Sequence, residues 1–211
     1  IPKNSKILDA GAGELQYKKY CKHLNYTSQD FANYDGVGDS TGLQTEKWNN
    51  DKIDIVSDIA SIPVKNSSFD AVMCVEVLEH IPYPEKAIRE FSRILKKNGK
   101  LVLTAPFASL THFAPYFYSS GYSEYWYRKV LEDHGFRIIE LEKNGNYFEY
   151  IAQEVRRLPY IESQYVDIKK PLSSSRIGGW LRGLALKTLT HLEKNSKRSE
   201  ELLYLGVQVY A

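Results

Sequence analysis

The chain is poor in the residues that mark disulfide-stapled, metal-scaffolded or membrane-spanning proteins. It holds two cysteines, Cys21 and Cys74, in 211 residues, and neither is spaced for a metal or a redox pair. No disulfide framework is therefore expected, and a reducing, cytoplasmic setting is. No apolar run reaches the roughly eighteen residues of a membrane span and no secretory leader is read, so stable membrane insertion is not expected. Neither sign of charge dominates: 28 Lys and Arg oppose 26 Asp and Glu, for a net +2. So weak and interspersed a charge makes nucleic acid an unlikely partner on electrostatic grounds. Internal repeats and low-complexity tracts are absent as well. What is there is 43% hydrophobic, enough for one α/β domain over residues 1–211.

Strand-like and helix-like segments alternate through the first two thirds, the pattern of a parallel sheet covered on both faces. Lys6 to Ala10 reads as a buried strand, Leu15 to Leu24 as a helix, Tyr26 to Asp30 as a second strand and Ile53 to Ser57 as a short third. Phe69 to Glu76 is the clearest buried strand. A helix from Pro84 to Lys97 follows, with Ala87, Ile88, Phe91, Ile94 and Leu95 at helical spacing and Asn98-Gly99 as its left-handed cap. Next come a strand from Lys100 to Ala105, a helix capped by Ser123 and stopped at Gly135, a strand from Phe136 to Glu142, and a last one within Leu202 to Tyr210. Residues 147–200 or so read as a helical insertion before that last strand, with helices Tyr147–Leu158 and Ile177–Leu192 joined by the Pro- and Ser-rich Lys170–Ser175. The first strand opens almost at Ile1, whereas this architecture usually has chain ahead of it, so an upstream segment is expected.

The chemistry starts at Asp9-Ala10-Gly11-Ala12-Gly13, where the first strand runs into a glycine turn. Glycine at 11 and 13 lets bare backbone approach a ligand, and the helix expected to follow would add unpaired N–H groups. Asp9 argues against a phosphate guest, because a carboxylate suits positive charge or hydroxyls. S-adenosylmethionine offers both and carries no phosphate. Three more strand ends deliver acids: Asp30, Asp58, and Glu76 with His80 just beyond. In open α/β sheets ligands sit outside the carboxyl ends of strands, so these groups should meet in one crevice.

Four strings then stand in order: Leu8-Asp9-Ala10-Gly11-Ala12-Gly13, Ser68-Phe69-Asp70-Ala71-Val72, Val75-Glu76-Val77-Leu78-Glu79-His80, and Leu95-Lys96-Lys97-Asn98-Gly99-Lys100-Leu101. With them the chain resembles the class I S-adenosylmethionine-dependent methyltransferases, of the small type with D-x-G-x-G and E-V-L-E-H motifs, over residues 6–145 and the last strand. The resemblance implies an α/β, Rossmann-like doubly wound seven-stranded sheet, mostly parallel with an antiparallel last strand. It also implies roles for individual residues. Gly11 and Gly13 would approach the methionine part of S-adenosylmethionine, with the backbone of Asp9, Ala10, Gly11 and Ala12 receiving its ammonium. Asp30 would take both ribose hydroxyls, with Asp35 as a rival; Asp58 and the amide of Ile59 would read adenine; and Glu76 would face the carboxyl end of the cofactor crevice. Glu14 and Leu15 depart from the glycine or small polar residue common at those positions.

A narrower resemblance concerns Thr104 to Tyr116, with Tyr122, Leu131 and Gly135-Phe136, which is similar to methyltransferases encoded with bacterial surface-polysaccharide machinery. The rings Phe107, Phe113, Tyr116, Phe117, Tyr118, Tyr122, Tyr125, Trp126 and Tyr127 crowd this region, and flat faces with phenol rims suit sugars or aromatic acceptors. About half of them are expected to serve packing. His80 and His112 follow strand ends bordering the transfer locus and are the candidate general bases, with a structural turn role as the alternative. No metal-ligating set is read. The expected acceptor is a small molecule or glycan precursor, methylated at oxygen or nitrogen, and the insertion is compatible with a homodimer face or a lid. Two other functions share this fold. A nicotinamide-dependent oxidoreductase is disfavoured by Gln16, which stands where its third glycine belongs, and a scaffold without turnover stays open.

Overall fold

The structure, a computed structural model, describes residues 1–168 and 171–211. Lys170, the first residue of the expected linker, lies outside the described residues. Seven strands form one sheet: β1 (Lys6–Ala10), β2 (Asn25–Asp30), β3 (Ile55–Val56), β4 (Phe69–Val75), β5 (Leu95–Pro106), β6 (Glu140–Asn144) and β7 (Gly206–Tyr210). Their order is β3-β2-β1-β4-β5-β7-β6. The pairs β1/β2, β1/β4, β2/β3 and β4/β5 are parallel, and β7 runs antiparallel to β5 with Leu103 opposite Val209. This is the seven-stranded sheet with an antiparallel last strand that the sequence pattern and motifs predict. The order reverses between β1 and β4, which opens a crevice at their carboxyl ends.

The chain divides into two compact units, residues 1–142 with 206–211, and residues 143–205. In the first, the central strands are apolar on both faces because both are covered: Leu8, Ala71, Val72, Leu101 and Leu103 are fully buried. Helix α1 (Pro84–Ile94) presents Ala87, Ile88, Phe91 and Ile94 to the core and starts with Pro84 in its first turn, where the missing N–H costs nothing. Helix α2 (Glu124–Asp133) is capped by Ser123, whose side chain accepts from the Trp126 amide. Gly135, at φ +82°, stops it as expected. In the second unit, α3 (Tyr147–Tyr165) and α4 (Arg176–Lys194) pack on each other, capped by Asn146 and Ser175. Helix α3 runs through Pro159, past the expected end at Leu158.

Two expectations are corrected. No α-helix fills Leu15 to Leu24: turns and a short 3-10 helix at Lys18–Tyr20 cover the sheet instead. Leu15 adopts φ +61°, which a right-handed helix cannot contain. The helical spacing of Tyr17, Cys21 and Leu24 is genuine, but it serves to seat these three against Ile7, Ala71 and Met73. Nor does Asn98-Gly99 end a helix. Helix α1 stops at Ile94 because Leu95 turns extended to pair with Phe69, and Asn98, at φ +62°, sits in a bulge before pairing resumes at Lys100 opposite Ala71.

Candidate functional site

A cavity of about 440 Å³ opens beyond the carboxyl ends of β1, β2 and β4. Five of the predicted cofactor residues line it: Gly11, Asp30, Asp58, Ile59 and Glu76. Facing walls come from Phe31, Tyr34, Trp48, Phe113, Tyr116 and Tyr118, and from His80. Asp9, Ala10, Ala12, Gly13 and His112 stand outside the lining.

The glycine turn is held by hydrogen bonds within the protein. Gly11 and Ala12 donate their amides to the Gln29 carbonyl at 2.8 and 2.9 Å, and Gly13 donates to the Asp30 carboxylate at 2.9 Å. Asp30 accepts a second amide, from Ala32 at 2.8 Å, so its carboxylate fixes the turn it is expected to serve. With no helix after the turn, the donor-rich helix end expected there is absent. Gly11 has φ +78° and a Cβ on it would lie 2.5 Å from a Val77 methyl, so this position needs glycine for both conformation and space. Asp58 caps its own turn, accepting from the Ala60 amide, while also bordering the cavity. Glu76 sits at φ +54° and accepts a 2.6 Å hydrogen bond from the Thr104 hydroxyl.

Asp9 is 1% exposed and accepts from the Tyr26 hydroxyl at 2.6 Å. Burial pushes its carboxyl up to about 6, against the lowering effect of the Tyr26 bond and with a further push from Asp30. The folded state therefore holds this proton more tightly than the unfolded chain does, and stability falls as pH rises from about 4 through 6. Asp9→Asn keeps an acceptor for Tyr26 and removes the buried charge. Denaturant unfolding should show it no more stable than wild type at pH 4 and more stable by up to about 3 kcal/mol at pH 8. Equal differences at both pH values would exclude a buried charge at this position.

His80 and His112 stand edge to face with ring centroids 4.6 Å apart. His80 Nδ1 lies 2.6 Å from the Tyr116 carbonyl, and His112 Nδ1 lies 2.9 Å from the Leu110 carbonyl. Burial holds His80 down to about 4, so it is neutral and weakly basic at pH 7. Near the Nε2 atoms of both rings lies Glu79, 1% exposed and raised by burial to about 8. The loop after β2 fastens this region: Leu43 pairs with His112, and Tyr34 stacks on Phe113, which stacks on His80. Sequence reasoning missed Glu79 and the walls from Phe31, Tyr34 and Trp48. The adjacency of Glu79 to His80 was the available signal for the first, and aromatic rings inside a Gly-, Asn- and Asp-rich loop for the others. Of the ring cluster, Tyr127 is fully buried and Tyr125 is 75% exposed on α2, so neither faces the cavity.

The model of the methyltransferase domain family matches residues 8–103, from the middle of β1 through most of β5. Over these residues the chain matches a methyltransferase domain. The chain is similar to the ubiquinone biosynthesis O-methyltransferase of Xanthomonas oryzae pv. oryzae, 41% identical over 30% of this chain and 26% of that one. It is also similar to the norajmaline N-methyltransferase of Rauvolfia serpentina, 30% identical over 48% of this chain and 35% of that one. Matches to curated relatives such as these span about a fifth to two fifths of the relative's length. Among solved structures, a SAM dependent methyltransferase from Archaeoglobus fulgidus superposes with a TM-score of 0.58 at 15% identity, over 99% of this chain and 86% of that one. At that identity the likeness concerns the fold. No helix among the described residues is long and apolar enough to cross a membrane.

Proposed function

We propose that this methyltransferase moves the methyl group of S-adenosylmethionine to a hydroxyl or amine of a ring-bearing small molecule or glycan precursor. The observation that carries this reading is the cavity itself, whose lining joins Gly11, Asp30, Asp58, Ile59 and Glu76 with His80, five aromatic rings and the Trp48 indole. Asp30 takes the ribose hydroxyls through the lone pairs its two amide partners leave free. Asp58 and Ile59 meet adenine, and Glu76 faces the methionine end. The sulfonium is already a good leaving group, so the protein's work is to align nucleophile, methyl carbon and sulfur and to exclude water. Flat apolar walls do both for a ring-bearing acceptor.

The nicotinamide alternative is opposed by the turn. The amides of Gly11, Ala12 and Gly13 are all engaged within the protein, leaving none of them for a pyrophosphate. Equilibrium titration with S-adenosylhomocysteine and with a reduced nicotinamide dinucleotide separates the two readings: the first should bind at micromolar levels and the second should not. Turnover is then tested by S-adenosylhomocysteine release with a panel of phenols, sugars and amines. Release with none of them, from protein that binds the cofactor, would favour a scaffold.

A further inference from the structure

The geometry points to a divalent metal site made by Glu79, His80 and His112 at the rim of the cavity, whose ion binds and activates a hydroxyl of the acceptor. It deepens the methyl-transfer reading and rests on it for the role of the ion, though not for the site. Glu79 Oε1 lies 3.7 Å from His80 Nε2 and 3.9 Å from His112 Nε2, and the three donor atoms all fall within 4.8 Å of one another.

Hydrogen-bond logic fixes what these atoms present. A carbonyl oxygen only accepts, so the contacts to Tyr116 and Leu110 place the hydrogen of each imidazole on Nδ1. In the neutral rings, both Nε2 lone pairs then face the Glu79 carboxylate. Two nitrogen lone pairs and a carboxyl group converge, and once Glu79 yields its proton to a cation none of the three supplies a donor. Neither His80 Nε2 nor Glu79 Oε2 has a hydrogen-bond partner, and both atoms are buried. Buried polar groups normally have partners, and orphans grouped in this way call for a group that accepts electron pairs. The ion-pair partners described for Glu79 are these two histidines, with no Lys or Arg among them.

A tetrahedral ion with bonds of 2.0–2.2 Å separates its ligands by about 3.4 Å, so closing on a metal asks the side chains to move by up to about an ångström. Donation of each Nδ1–H to a backbone carbonyl is the support that orients histidine ligands. Two nitrogens and one carboxylate suit Zn²⁺ and its borderline neighbours better than Ca²⁺ or Mg²⁺, which prefer oxygen throughout. Three protein ligands leave a position open, and His80, which lines the cavity, puts the site beside the space proposed for the acceptor.

An acceptor hydroxyl bound there loses its proton to solvent near neutral pH. Its oxygen then forms the bond to the methyl carbon as the S–CH3 bond breaks and the electron pair passes to sulfur. The products are the methyl ether, neutral S-adenosylhomocysteine and the released proton. His80 and His112 thus hold the ion, and lone pairs engaged in that way do not act as general bases.

The test uses the full chain freed of metal by chelator, then titrated with Co²⁺ followed by visible absorption and with Zn²⁺ followed by calorimetry. One equivalent should bind, with the absorption bands of low-coordinate Co²⁺. His112→Ala should weaken binding by about a hundredfold or more, while His191→Ala, on α4, should leave it unchanged. His112→Ala alters a part-exposed loop residue, and unchanged far-UV circular dichroism will show that it folds even if Glu79→Gln does not. S-adenosylhomocysteine affinity should be the same in His112→Ala and wild type. Absence of stoichiometric binding, equal metal affinity in His112→Ala, or turnover of a hydroxyl acceptor unaffected by chelator would each overturn the proposal. Metal binding without any S-adenosylhomocysteine binding in wild type would instead overturn the methyl-transfer reading and leave the site standing.

Discussion

Asp30→Ala should lower affinity for S-adenosylhomocysteine by about a hundredfold or more in calorimetric titration. One carboxylate does two things in this fold. In the proposed function it accepts the ribose hydroxyls, and in the fold it holds the amides of Gly13 and Ala32 at 2.9 and 2.8 Å. Charge-assisted hydrogen bonds contribute about 1.5–3 kcal/mol each, and a side chain that is 7% exposed shares little of that with solvent. Alanine removes the ribose contacts and leaves the Gly13 amide without its partner in a buried turn. The variant should therefore also unfold at lower denaturant in the absence of ligand. Asp30→Asn separates the two roles: its single carbonyl oxygen can keep one amide, so much of the lost stability should return while affinity stays reduced. Unchanged affinity in Asp30→Ala would remove this residue from the cofactor site.

Gly36→Ala should destabilise the protein by about 3 kcal/mol and weaken cofactor binding with it. Gly36 has φ +91°, and a Cβ there would sit 1.9 Å from the Glu46 carbonyl oxygen, a backbone atom that cannot swing aside. The two segments are joined on either side of that point, by Thr45 donating to the Gly36 carbonyl at 2.9 Å and Trp48 donating to the Asp35 carbonyl at 2.8 Å. Forcing them apart moves Tyr34 and Trp48, which form one wall of the cavity. Gly183→Ala is the matched control. It lies within α4 with open space where the Cβ would go, so the same substitution should stabilise by about 0.5–1 kcal/mol through helix propensity. Urea unfolding of both variants, read with S-adenosylhomocysteine titration, checks the pair. Equal and small effects would mean that the loop from Gly36 to Trp48 tolerates displacement.

Most of the sheet was legible because its strands are apolar runs bounded by turn residues, and acids at their ends mark the carboxyl edge. Asp30, Asp58 and Glu76 could be assigned to one crevice on that ground alone. Two misreadings share a cause. The spacing of Tyr17, Cys21 and Leu24 and the pair Asn98-Gly99 carry real local signals, yet each signal fits more than one backbone path. Tertiary packing chose between the paths: Leu95 gains a partner in Phe69 by leaving the helix early, and Leu15 turns left-handed ahead of residues that pack on Ile7, Ala71 and Met73.

The succession of strands along the chain, the glycine turn and the acids at strand ends follow from this sequence alone, since hydrophobic period and backbone permissiveness are properties of neighbouring residues. The meeting of Glu79, His80 and His112 does not. His112 belongs to a loop that pairs with Leu43, far away in the chain, and the orphaned atoms of Glu79 and His80 exist only because packing strips water from both. Local chemistry is written in the order of residues, whereas convergence and desolvation arise when the chain closes on itself.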